Sequence, residues 1–245
     1  MNKIIRIFDI NFIDADFNKI KSLLDRGGLL VLPAGPALAT IKSDIQYYKS
    51  IKNADLVLFD SGYLCLLLRF LKKIKVKKIS GYLFLKKFIQ CLRRENKEKI
   101  FLIDPSHNQS KINKHYLKSQ KINKIHQYIA PIYKKNKIFD KQLLDNINKI
   151  KPKYILINLG GGTQEVLGNY LKKKLNYKPS IICSGAAISF LTKQQAPLTD
   201  FIDKVYAGWL LRIIFDPFNF LPRYLSAFKL FFLVHEIKNI KQSKL

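Results

Sequence analysis

The sequence predicts an α/β fold, a mostly parallel sheet with helices on both faces, followed by a C-terminal helical appendage. Three observations carry that prediction. Short apolar runs bounded by turn residues alternate with longer helix-like stretches from Gly28 to about Gly185. Those runs are apolar throughout, the pattern of strands buried on both sides. From about Phe201 the alternation stops. The architecture is therefore Rossmann-like, with an α/β domain over residues 1–200 and an appendage over 201–245. No internal repeat or low-complexity linker divides the first region.

The elements follow in order. "GLLVLPA" (Gly28 to Ala34) reads as a buried strand and "LATIKSDIQYYKSIKN" as the helix after it. "ADLVLFD" (Ala54 to Asp60) is a strand, then "YLCLLLRFLKK" a helix. "VKKIS" leads into the helix "GYLFLKKFIQCLRRENK", and "KIFLID" (Lys99 to Asp104) is again a strand. After "SKINKHYLKSQ" comes a short strand near "IHQYIA", then the helix "KQLLDNINKIKP". "YILINLG" is a strand, "QEVLGNYLKKKL" a helix and "SIICSG" a last strand. The final region is rich in aromatic residues, places Pro217 and Pro222 where they would break helices, and ends in a lysine-bearing tail.

The 245 residues are 48% hydrophobic, enough for a sizeable core, but the net charge of +27 is unusual. Such a field favours phosphate-bearing partners: nucleic acid, anionic lipid or a diphosphate substrate. Scattered lysines on a solvated surface are the plainer explanation. Cys65, Cys91 and Cys183 match no zinc spacing and sit in apolar runs, as buried reduced thiols do. The four histidines form no HxxxH or HExxH pair, so no metal site is expected. Acidic residues interrupt the N-terminus where a signal peptide needs an apolar core. No apolar run reaches the ~18 residues of a spanning helix. A cytoplasmic location is expected.

In open α/β sheets ligands bind beyond the carboxyl ends of the strands. That rule selects Pro33 to Pro36, Asp60 to Gly62, Asp104 to His107, Gly160 to Glu165 and Cys183 to Ala187. Gly160, Gly161 and Gly162 would let the backbone turn tightly and approach a ligand, with the positive end of a helix starting near Thr163 behind them. Gln164 can hydrogen-bond a sugar or base, and Glu165 can accept from sugar hydroxyls. A tight turn with a Glu in the first helical turn explains the same letters. Asp60 is either the cap of the next helix or a carboxylate placed as a general base, and spacing alone favours the cap.

Four segments resemble the WecG/TagA/CpsF family of bacterial glycosyltransferases (glycosyltransferase family 26). "NADLVLFDSG" resembles the family's strand end carrying its proposed catalytic aspartate, which falls on Asp60. "INLGGGTQEVL" resembles a Gly-x-Pro-Lys-Gln-Glu loop, matching Gly160, Gln164 and Glu165. "SIICSGAAISFLT" matches a glycine at Gly185. "QAPLTDFIDKVYAGWLLRIIFDPFNFLPRYL" matches Ala196, Pro197, Trp209, Arg212, Pro217, Arg223 and Tyr224, and is the most specific block. The departures are Gly162-Thr163 for Pro-Lys, Ser189 for an Asp, Gln195 for an Arg, Gly208 for a Glu, and Lys78 for an Arg. The early Asn has no counterpart in "LPAGPA".

The resemblance implies an inverting transferase that moves a sugar, possible donors including an N-acetylhexosamine, from a UDP-sugar to a polyprenyl-diphosphate-linked acceptor in surface polysaccharide synthesis. Asp60 would be the base. Gly160 to Gly162, Gln164, Glu165, Gly185 and Lys78 would line the donor site, and Arg212 and Arg223 would close over the diphosphate. No cofactor or metal is implied; Asp14-Ala-Asp16 has the letters of a DxD motif but precedes the first helix. The aromatic and basic residues of the appendage suit a helix lying on an anionic membrane surface, at the inner face of the cell membrane. Alternatively that face packs on the protein's own body or on another subunit, giving a homo-oligomer. Two rivals remain: a non-catalytic or degenerate relative in a polysaccharide assembly complex, and a nucleic-acid-binding protein, for which no recognition motif is present.

Overall fold

The computed structural model describes residues 2–95, 97–134, 138–195 and 208–245, with the backbone alone at 208, 209 and 212. Strands are β1 (Lys3–Ile7), β2 (Ile10–Asp14), β3 (Gly28–Val31), β4 (Leu56–Leu58), β5 (Ile100–Asp104), β6 (Ile125–Ile129), β7 (Tyr154–Ile157), β8 (Ser180–Cys183) and β9 (Lys241–Lys244). Helices of the body are α1 (Phe17–Leu24), α2 (Gly35–Leu38), α3 (Ile45–Lys52), α4 (Gly62–Lys72), α5 (Gly81–Glu95), α6 (His107–Ser119), α7 (Lys141–Ile150), α8 (Thr163–Lys174) and α9 (Ala187–Leu191). The last region adds α10 (Gly208–Phe215), α11 (Pro217–Ala227) and α12 (Lys229–His235).

The nine strands form one sheet in the order β6-β5-β7-β8-β3-β4-β2-β1-β9. From β6 to β2 every pairing is parallel. The mixed architecture and the expected strand–helix alternation are both present. An N-terminal hairpin, β1–β2, extends the sheet beyond what the sequence reading foresaw. Its two-residue turn, Phe8–Asp9, has φ of 53° and 58°, the type I′ geometry that matches strand twist.

Asp or Ser caps start many helices: Asp16, Asp44, Ser61, Ser106 and Asp140 each accept from a backbone N–H three residues on. The sheet divides the apolar interior in two. One layer gathers α2, α3, α4, α7 and α8 through residues such as Leu38, Tyr47, Leu64, Ile147 and Leu167. The other gathers α1, α5, α6 and α9 through Ile20, Phe84, Phe88, Leu117 and Ile188. The chain therefore leaves β7 toward one face and β8, its neighbour, toward the other. Adjacent strands diverging in this way open a crevice at their carboxyl ends.

The last region is tied into this body. Leu230 and Val234 of α12 are fully buried in the first core layer, and α11 and α12 pack on α2. Lys72 Nζ donates to the carbonyls of His235 at 2.9 Å and Ile237 at 2.7 Å. Strand β9 then pairs antiparallel with β1, an element the helical reading of the tail did not include. Pro217 begins α11 at a position where its missing N–H costs nothing. Helix α10 ends at Phe215, so Pro217 falls at a helix boundary as the sequence reading expected, whereas Pro222 lies inside α11 and does not end it.

Candidate active site

Asp60 follows β4 at the sheet's carboxyl edge and is half-buried. The cap that spacing assigned to it is supplied by its neighbour: Ser61 Oγ accepts from Leu64 N at 3.2 Å and opens α4. Asp60 Oδ1 instead accepts from Gly81 N at 2.7 Å. The carboxylate thus sits at the N-terminal end of α5. Gly81 is also where two loops meet. A Cβ there would lie 3.3 Å from Ala187 Cβ and 3.9 Å from both Asp60 Oδ1 and Ser184 O. The β4 and β8 loops are therefore joined through one small residue.

The three glycines after β7 answer to different demands. Gly162 has φ of 93° and caps α8 without a side chain, so its identity is set by backbone conformation. Gly160 and Gly161 have no positive φ. A Cβ on Gly160 would meet no described residue within 4 Å beyond its chain neighbours, and one on Gly161 would make ordinary 3.7 Å contact with Ala37 Cβ. Both are exposed, and their amides form no hydrogen bond to a described residue. The protein itself requires neither to be glycine.

Glu165 lies inside, only 1% exposed. Its Oε2 accepts from Gly162 N at 2.6 Å and its Oε1 from Gln164 Nε2 at 3.0 Å. Burial pushes its carboxyl up to about 7, against the pull of its own amide, the Gly162 amide and the Gln164 side chain, with the Asp60 charge adding to the rise. Gln164 is 5% exposed, and its Oε1 has no hydrogen-bond partner among the described residues. Its amide lies against Gly185, where a Cβ would fall 3.2 Å from Nε2 and 3.3 Å from Oε1. Gly185 has φ of 54°. Cys183 Sγ donates to the Gln164 carbonyl at 3.3 Å, so the β7 and β8 loops are locked together.

A buried polar chain supports this rim, and sequence reasoning missed it. Asp104 Oδ1 accepts from Asn113 Nδ2 and from Asn158 Nδ2, both at 2.7 Å. Ser184 Oγ donates to Asn158 Oδ1 at 2.8 Å. Burial raises the Asp104 carboxyl above its ordinary value, against the pull of the Asn158 and Asn113 side chains. The available signal was Asn158, a polar residue inside the otherwise apolar run "YILINLG".

Lys78 precedes α5 and is half-buried. Burial pushes the Cys65 thiol up to about 12, and the Lys78 and Asp60 charges act on it in opposite senses, placing both near Cys65. Arg223 is exposed on α11, its guanidinium carbon 5.7 Å from the Phe220 ring centroid. Helix α11 packs on α2, and Ala37 of α2 borders Gly161, so the appendage flanks the glycine turn. Ala196, Pro197 and the side chains of Trp209 and Arg212 lie outside the described residues.

Asp60, Gly81, the Gly160–Gly162 turn, Gln164, Glu165 and Gly185 thus converge on one carboxyl-edge crevice. The arrangement offers a carboxylate for proton transfer, unused amides at the start of a long helix, and a rim held by buried polar bonds. A family model described as Glycosyl transferase WecG/TagA/CpsF family matches residues 5–244. No curated protein matches the chain.

Proposed function

The chain belongs to the WecG/TagA/CpsF family of glycosyltransferases, and we propose that it is an inverting enzyme transferring a sugar from a UDP-sugar to a polyprenyl-diphosphate-linked acceptor. An N-acetylhexosamine is the sugar proposed. The observation that carries this reading is the pairing of Asp60, anchored on the Gly81 amide, with the open Gly160–Gly161 backbone in the same crevice.

In this reading the acceptor hydroxyl attacks the anomeric carbon and gives its proton to Asp60. The bond from that carbon to the diphosphate oxygen breaks, and its electron pair leaves with UDP. The Gly160 and Gly161 amides and the positive end of α8 receive the growing charge. Glu165 holds the turn through the Gly162 amide, and Gln164 fixes it against Gly185, so both serve the donor by shaping its cradle. Lys78, Arg212 and Arg223 supply cations to the diphosphate; a guanidinium fork suits phosphate oxygens.

The acceptor lies in a bilayer, and the appendage carries the surface proposed to meet it. Phe215, Phe218, Leu225, Phe228 and Phe232 are exposed, Phe218 at 92%. Phe70 of α4 is exposed as well, at 65%. Apolar surface of this kind marks a membrane or protein interface. No helix among the described residues is long and apolar enough to cross a membrane. The proposed site of action is therefore the cytoplasmic face of the cell membrane, reached by surface attachment.

The test is a screen of UDP-sugars against polyprenyl-diphosphate sugars, with UDP binding measured by calorimetry. Transfer supports the enzyme. UDP binding without transfer to any acceptor would favour the non-catalytic relative, a reading that rests on Gly162-Thr163 standing where the family has Pro-Lys.

A further inference from the structure

The sheet edge farthest from the appendage is β6, and its backbone is half unused. Ile100 N donates to Lys124 O, and Ala130 N to Asp104 O, both at 2.9 Å. Bonded residues alternate along a parallel ladder, and the register runs from Ile100↔Ile125 to Asp104↔Ile129. Residues 126 and 128 therefore bond toward β5, while the N–H and C=O groups of Gln127 and Ile129 point outward. Among the described residues no strand pairs with this outer edge.

Gln127 and Ile129 form one wall of a groove of about 670 Å³. The other wall is α6, through His107, Ser110, Lys111, Lys114, His115 and Lys118. These positions recur at helical spacing and share one face. Gln127 Nε2 donates to Ser110 O at 2.6 Å and also to Ser110 Oγ, which fixes the helix beside the strand. Among the described residues no acidic side chain lines the groove. None of its five basic side chains joins an ion pair among the described residues.

The groove therefore offers backbone donors and acceptors on one side and a row of basic side chains, three of them lysines, on the other. From His107 to Lys118 the row spans roughly 16 Å at 1.5 Å per residue. An extended segment of about five residues covers the same length. A phosphate polymer supplies only acceptors, and a single-stranded nucleic acid would want Phe, Tyr or Trp platforms for its bases, none of which is among the described residues lining the groove. We propose that this groove takes an extended acidic segment of another protein as an added strand on β6. Its backbone pairs with Gln127 and Ile129, and its carboxylates meet the α6 lysines.

The probe is a synthetic peptide of alternating Glu and Val, about eight residues long so as to span β6. Its binding is read by fluorescence anisotropy at low and high salt. Salt-sensitive binding is expected, with slower hydrogen exchange at the Gln127 and Ile129 amides. Ile129→Pro removes an N–H that β5 does not use, which an edge strand tolerates. That variant and the triple variant Lys111→Glu, Lys114→Glu, Lys118→Glu should each weaken binding roughly tenfold or more. Sugar transfer, seated elsewhere, reports that both variants are folded. Absence of peptide binding at low salt overturns the proposal. So does binding that survives Ile129→Pro or backbone N-methylation of the peptide, or that tripolyphosphate or an oligonucleotide of equal charge displaces as well as the peptide does. Those outcomes describe a plain polyanion patch.

Discussion

The Gly81 amide donates to Asp60 Oδ1 at 2.7 Å, so the carboxylate after β4 is held by the first residue of α5. This bond sets the direction of Asp60, and a Cβ at Gly81 would press on Ala187 at 3.3 Å. That bond fixes the carboxylate's position at the start of α5. Position is what a general base needs first, because proton transfer demands hydrogen-bond reach of the attacking hydroxyl.

Asp60→Asn tests that role directly. The amide can still accept from Gly81 N, so the loop should keep its shape. Sugar transfer should fall by about a hundredfold or more, with UDP affinity by calorimetry nearly unchanged. Turnover close to that of the unaltered protein would remove Asp60 from the chemistry.

The glycine turn gives a contrast within three residues. Gly162→Ala forces a side chain onto φ of 93° and should destabilise the fold by about 1–2 kcal/mol in denaturant titrations. Gly160→Ala adds a methyl that meets no described residue within 4 Å beyond its chain neighbours, so its melting should not move. Its donor KM should rise, because the methyl intrudes only on a ligand. A Gly160→Ala enzyme with unchanged donor KM would show that the diphosphate binds elsewhere.

Glu165 makes stability depend on pH with a definite sign. Burial pushes its carboxyl up to about 7 in the folded protein, from an ordinary value of 4.5. The folded state binds this proton more tightly, so the contribution is fully present below pH 4.5 and is lost as pH rises through about 7. At 1.36 kcal/mol per pKa unit the loss amounts to about 3 kcal/mol. Glu165→Gln cannot titrate, so its stability should lack this decline when chemical denaturation is compared from pH 4.5 to pH 8. Parallel pH profiles for the two proteins would show that Glu165 keeps an ordinary carboxyl.

Much of this architecture was legible because buried parallel strands announce themselves as apolar runs. The turn at Gly160–Gly162 and the helix starting at Thr163 were read from glycines following such a run. The first hairpin was not, since its I′ turn uses Phe8–Asp9 in place of the Asn-Gly that signals one. Strand β9 is the polar tetrapeptide "KQSK", held by pairing with β1 along an exposed edge, and carries no hydrophobic signal. At Asp60-Ser61 two good capping residues are adjacent, and only the fold decides which one caps. The burial of Glu165 was equally invisible, because a first-turn Glu looks the same in sequence whether it faces solvent or core.

The appendage combines two proposed roles with a structural one, and single substitutions separate them. Deleting residues 208–245 would remove Leu230 and Val234 from the core and β9 from the sheet, so loss of function there would be uninformative. Phe218 and Phe232 are exposed at 92% and 65%, so Phe218→Ser with Phe232→Ser should leave melting and turnover on a soluble acceptor analogue unchanged. Co-sedimentation with anionic vesicles should fall several-fold, as expected when two aromatic side chains no longer enter the interface. A smaller species in sizing chromatography, with vesicle binding intact, would assign the face to a second copy of the chain. Arg223→Ala should do the reverse, lowering turnover on the soluble analogue while vesicle binding changes little. Lys72→Ala removes the hydrogen bonds to His235 and Ile237 and should loosen α12, lowering the melting temperature before either function. If Arg223→Ala turns over the soluble analogue at the full rate, the guanidinium does not reach the diphosphate and serves only the surface of α11.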